Sequence, residues 1–170
     1  MPGNSLALDH VRQLRADGRH EEAREQLAAL AKTTPADAEV LYEAASVHDY
    51  LDLEEQAVSY YVAAIEAGLS GPRLRGAYLG LGSTYRLLGR YDESLEILER
   101  GLREFPDGQE FRVFSAMTHY NLGRFQEAMG ILLRVIADTS DDPDVRSYER
   151  AIRLHAENPG PRPPENGPKP

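Results

Sequence analysis

Five histidines, several paired carboxylates and no cysteine are the raw material for chemistry in this chain. His10, His20, His48, His119 and His155 are scattered, and no HExxH pattern places two imidazoles and a glutamate on one helical face for zinc. Without cysteine there are no disulfides, no thiolate nucleophile and none of the common thiolate zinc sites. Ser46 and His48 lie two positions apart in a predicted helix, so they face different ways and form no nucleophile–base pair. Glu21-Glu22 and Glu54-Glu55 stand at predicted helix starts, where carboxylates complement the positive end of the helix dipole. The glycines of GLGSTYRLLGR sit in a helical context without the lysine of a phosphate loop. These residues predict no enzyme, no cofactor and no metal.

The elements that must carry them are short amphipathic helices. In Gly76 to Pro106, Tyr78, Leu81, Gly82 and Tyr85 follow the i, i+3, i+4, i+7 stripe of a helix with one buried face. Gly89 ends that helix, and Asp92-Glu93 begins a second whose apolar side is Tyr91, Leu95, Leu98 and Leu102. Small residues, Gly82 on one helix and Ser94 and Gly101 on the other, mark where the two approach closely. Glycine inside a helix costs about 1 kcal/mol relative to alanine, so Gly82 answers a packing need.

The landmarks recur. Ala23, Ala57, Ser94 and Ala128 hold the same place in four second helices, at spacings of 34, 37 and 34 residues. Each follows a similar turn, beginning at Gly18, Asp52, Gly89 and Gly123. On the first helices the matching small residues are Ala45, Gly82 and Ala116, with Val11 in the first copy. The pattern resembles the tetratricopeptide repeat family, whose period is 34 residues of helix-turn-helix. Gly82, Tyr85, Gly89, Tyr91, Leu98 and Pro106 match it closely; Ser94 in place of Ala, Asp52 in place of Gly and the lack of Trp depart from it. The layout is similar to that of small free-standing bacterial members. The resemblance implies an all-α, right-handed superhelical solenoid of four repeats, about 4–37, 38–74, 75–108 and 109–142, with a capping helix at 143–157.

Within those repeats, Asp37, Asp107 and Asp142 are the expected N-caps, and the three extra residues before repeat three should lengthen its first helix or the preceding loop. In the capping helix, Val145, Tyr148, Ile152 and His155 form the stripe expected to pack, leaving a polar outer face. His48 and His119 stand where the third repeat has Tyr85, so a packed, hydrogen-bonded role is expected. Residues 158–170 contain six prolines and two glycines and read as a disordered tail of polyproline II character, with a PxxP pattern at Pro161 to Pro164.

A net charge of −9 argues against nucleic acid, which demands clustered Lys and Arg. No apolar run approaches the roughly 20 residues needed to cross a bilayer. The first eighteen residues lack a basic stretch followed by an apolar core, which makes the cytoplasm the expected address. The resemblance implies a binding groove lined by the first helix of each repeat, here by Arg12, Glu39, Tyr42, Glu43, Asp49, Tyr50, Arg86, Phe114, Met117, Tyr120 and Asn121. The family's carboxylate-clamping positions hold Leu8, Arg12, Glu43, Gly76 and Gly80, with one cation and no Asn, which disfavours that ligand. The expected function is a non-catalytic protein- or peptide-binding adaptor, taking a segment with basic and apolar residues. The alternative is a homodimer through the groove or the N-terminal face.

Overall fold

The computed structural model describes residues 2–160, with side chains from residue 5 onward. Among them are ten helices: α1 Pro2–Ala16, α2 His20–Thr33, α3 Ala38–Tyr50, α4 Glu54–Glu66, α5 Gly71–Leu87, α6 Tyr91–Glu104, α7 Gln109–Asn121, α8 Phe125–Thr139, α9 Pro143–Ser147 and α10 Glu149–Glu157. The chain divides into two compact units within α6, Met1–Gly101 and Leu102–Pro170. From residue 161 the expected proline-rich tail lies outside the described residues.

In the first unit, α1 packs on α2, α3 on α4, and α3 and α4 both meet α5. The small residues do what their spacing implies. Ala23, Ala45, Ala57, Gly82 and Ser94 are all buried, and a side chain added at Gly82 would come within 2.6 Å of Leu98. Ser94, the departure from Ala, is fully buried with its hydroxyl donating to the Gly82 carbonyl of the facing helix at 2.7 Å. Its polar atom is satisfied, which is the condition for burying one.

The four hairpin turns close with one backbone bond. The amide of Arg19, Leu53, Arg90 or Arg124 reaches back to the carbonyl of Leu14, His48, Tyr85 or His119 at 2.8–2.9 Å. This is the helix-ending motif that requires a left-handed residue just before the donor. Gly18, Gly89 and Gly123 supply it at φ 74–77°, and Asp52 supplies it at φ 56°.

Asp37 caps α3, accepting from the amides of Glu39 and Val40, and Asp142 caps α9 in the same way. At α7 the N-cap position is held by Gly108 and not by Asp107. The lack of a side chain there leaves room for the buried Phe111 ring. The insertion before repeat three lengthens the helix: α5 has 17 residues against 13 in α3 and α7.

In the second unit α7 packs on α8, and α8 on α10. The expected single capping helix is broken at Tyr148 (φ −103°, ψ 7°). Of the expected stripe, Val145 and Ile152 are partly buried. Ala156 is buried, its carbonyl lying where a side chain at Gly130 would stand and accepting from Arg134 at 3.2 Å. Tyr148 and Leu154 are 68% and 65% exposed, and His155 is exposed as well, so the outer face is not wholly polar.

Asp52 is a non-glycine residue in a left-handed conformation, which costs an L side chain about 1 kcal/mol. Asp52→Gly should stabilise the chain by about 0.5–1 kcal/mol in urea denaturation. The gain is below the full strain because glycine adds freedom to the unfolded state.

Candidate binding face

In the first unit, side chains of α1, α3 and α5 meet on a common face. On α3, Glu39, Tyr42, Glu43, Ser46 and Asp49 recur every three or four residues, as one helical face requires. On α5, Arg73, Gly76, Gly80 and Thr84 do the same.

Glu43 is at its centre, 5% exposed. Its Oε1 accepts from Arg12 Nε at 2.8 Å and from Arg73 Nη1 at 3.3 Å, and its Oε2 from Arg15 Nη1 at 2.6 Å. Arg15 also donates to the Ser46 hydroxyl at 2.8 Å. One carboxylate thus gathers three guanidiniums from the helices on either side. Farther out, Glu39 meets Arg12 at 3.3 Å and Arg73 at 3.4 Å, and Asp9 meets Arg12 at 3.1 Å. The Asp9 and Glu39 side chains are 63% and 51% exposed, whereas the three guanidinium side chains are about one-third exposed or less. The acidic groups therefore form the outer rim. Hydrogen bonding to Glu43 holds Arg12 still more firmly protonated than an ordinary guanidinium.

Beyond the ionic cluster lies an aromatic and hydroxyl layer. The Tyr42 and Tyr61 rings are 6.3 Å apart and tilted. The Tyr42 hydroxyl occupies the space a side chain at Gly76 would need, and the Tyr61 ring tip does the same at Gly80. The glycines of α5 are notches filled by tyrosines, rather than open room for a ligand. The Tyr61 hydroxyl donates to Asp49 Oδ2 at 3.1 Å, and the Thr84 hydroxyl, shared with the Gly80 carbonyl, reaches Asp49 Oδ1 at 3.2 Å. Burial raises the Asp49 carboxyl above the ordinary range, against the opposing effect of those two hydroxyls. Burial also raises the Tyr61 phenol, with the Asp49 charge adding to it.

The sequence-predicted residues fall into separate places. Arg12, Glu39 and Glu43 meet in the ionic cluster, with Tyr42 and Asp49 further along α3. Tyr50 is 62% exposed, with its ring stacked 3.8 Å from that of His20. Arg86 is partly buried on α5. Phe114, Met117, Tyr120 and Asn121 lie on α7 in the second unit, where Phe114 is half-buried and the other three are exposed. His48 is buried with Nδ1 2.7 Å from the Ala44 carbonyl and its ring 4.9 Å from that of Tyr60, a packed role. Among the described residues no group of three or more His, Asp or Glu could hold a metal. None of the described helices is long and apolar enough to cross a membrane.

Sequence reasoning missed Arg73, Thr84 and Tyr61. Arg73 was legible in principle: Gly71-Pro72 can open a helix, and Arg73 then falls three residues before Gly76 on the same stripe. Tyr61 sits on a second helix and reaches the face only through the notch at Gly80, which no local pattern announces.

The comparisons agree with this architecture. The family model described as "Tetratrico peptide repeat" matches residues 38–158. Among solved structures, the chain is similar to YrrB, titled a TPR protein with an unusual peptide-binding site, at TM-score 0.68 and 18% identity over 89% of this chain and 77% of that one. It is also similar to the MamA RS-1 ArsTM double mutant, at TM-score 0.67 and 17% identity over 91% and 94% of the respective chains. At these identities the likeness is one of fold: an all-α repeat solenoid. A search of the curated proteins finds no match.

Removing Glu43 leaves three guanidiniums facing one another. Glu43→Ala should cost about 2–3 kcal/mol in denaturant unfolding, below the usual range for a broken buried pair because the arginines retain water. Asp49 gives a pH signature. Its folded-state value is raised, so the folded form binds more protons than the unfolded one between the ordinary carboxylate value and the raised one. Its contribution to stability therefore falls as pH rises through that window. Asp49→Asn should gain on the parent chain between pH 4 and pH 7 in paired urea titrations; a difference that narrows with rising pH would contradict this.

Proposed function

This chain belongs to the tetratricopeptide repeat family, and on that premise we propose that it is a non-catalytic adaptor holding a polypeptide segment against its first helices. The observation that carries the reading is the ionic cluster on α1, α3 and α5. A buried carboxylate and three guanidiniums make a rigid floor, and Asp9 and Glu39 present acidic groups above it. Preorganised side chains lose little freedom when a partner arrives, which favours binding. Lys or Arg on the incoming segment would meet the acidic rim, and the net charge of −9 would steer it there. In the second unit Met117 and Tyr120, 41% and 63% exposed on α7, offer the adaptable and amphipathic surface that apolar side chains choose. The ligand is thus a peptide segment combining basic and apolar residues.

Self-association is the second reading. It is favoured by Leu6, 75% exposed on α1 while Leu8, Val11 and Leu14 of the same helix are buried. A second copy covering that end would remove it from water.

Panning a displayed random-peptide library against the purified chain tests both. Enriched peptides should carry Lys or Arg beside apolar residues, and should bind an Asp9→Asn, Glu39→Gln variant about three- to tenfold more weakly, an effect fading at high salt. Enrichment of acidic peptides, or none, would overturn the adaptor reading. A dimer mass for the same sample, lost on Leu6→Glu, would put self-association in its place.

A further inference from the structure

We infer that the outer face of α10 binds the same face of a second copy of this chain, antiparallel, about a two-fold axis beside Leu154. The contact concerns the second unit alone and rests neither on the adaptor reading nor on the exposed Leu6.

The end of the chain has two unlike sides. Across α9 and α10, Val145, Glu149, Ile152 and Ala156 turn inward and are partly or fully buried. The other side carries Arg150, Leu154 and Glu157, with Tyr148 at its start, and these four line one open groove. Tyr148 and Leu154 are the two most exposed large apolar side chains among the described residues of the second unit.

The charges beside them fall into two sets. Arg153 is held by Asp138 at 2.7 Å and by Glu149 at 2.9 Å, and Arg146 stands 3.8 Å from Asp141. Arg150 and Glu157 are exposed, and neither has a side-chain hydrogen bond or ion pair among the described residues. Seven residues, or two helical turns, separate them on one side of the helix. At about 1.5 Å per residue that is roughly 10.5 Å, too far for them to pair with each other.

The pattern itself names the occupant. Along the face the order is cation, apolar, anion: Arg150, Leu154, Glu157. Read in the opposite direction, that order is its own complement. An antiparallel second copy, centred between Arg153 and Leu154, sets each Arg150 against Glu157 of the other copy. The same axis brings the two Leu154 side chains together and takes them out of water. A parallel copy would put like charge on like charge. Two-fold contacts use one patch twice, and this face is such a patch. Burial of Leu154 and Tyr148 drives the contact. The exposed ion pairs add little affinity and fix direction and register. One short helix buries less than a standard interface, so the dimer is weak and depends on concentration.

Sedimentation velocity of the full chain over a rising concentration series tests this, and should show a monomer–dimer equilibrium. Arg150→Glu or Glu157→Arg alone turns two attractions into two repulsions and should weaken the dimer about tenfold. Both residues involved are good helix formers, and circular dichroism checks that the helices persist. The variant carrying both substitutions should regain the parent dimer. So should the two single variants mixed one to one. Leu6→Glu should leave the dimer unchanged. A chain that is monomeric at every concentration overturns the inference, as does a loss in the single variants that neither combination rescues. A dimer abolished by Leu6→Glu and indifferent to the α10 variants also overturns it, while leaving self-association through the N-terminal face standing.

Discussion

Glu43 has 5% of its surface in water and three guanidiniums around it, and that arrangement governs where α1, α3 and α5 stand. A carboxylate removed from water loses several kcal/mol of hydration, which returns only through well-placed charge-assisted hydrogen bonds. The bonds come from Arg12 and Arg15 on one neighbouring helix and from Arg73 on the other, so the helices are held by the need to satisfy one group. Repeat arrays are stabilised through contacts between neighbours. Here part of such a contact is ionic, drawn from α1, α3 and α5.

The second constraint is steric. Where the helices of this chain come closest, one of them has lost its side chain. Leu98 fills the space at Gly82, the tips of Tyr42 and Tyr61 fill those at Gly76 and Gly80, and the Ala156 carbonyl lies against Gly130. Each notch trades helix propensity for close approach. The notches at Gly76 and Gly80 on α5 are thus filled by tyrosines, Tyr42 from α3 and Tyr61 from α4.

The two units carry different surfaces. The first offers charge held in a fixed geometry; the second offers Met117, Tyr120, Phe125 and Met129, polarizable or amphipathic side chains that adapt to what covers them.

By itself the sequence determined the repeat. A helix needs its apolar residues every three to four positions, a hairpin needs a left-handed residue at the turn, and close packing needs a small residue at the crossing. All three are local demands that leave marks at a period near 34. The caps at Asp37 and Asp142 and the longer helix at the 37-residue spacing were legible for the same reason. What the tertiary structure decided is which side chains meet. Arg12 and Glu43 are 31 residues apart, Arg73 and Glu43 30, and Thr84 and Asp49 35. Such pairings depend on the rotation and offset of one helix against the next, set by the notches and tyrosines together. The end of the chain is a further case, where Ala156 is buried with its carbonyl against Gly130 while Tyr148 and His155 of the expected stripe stay exposed.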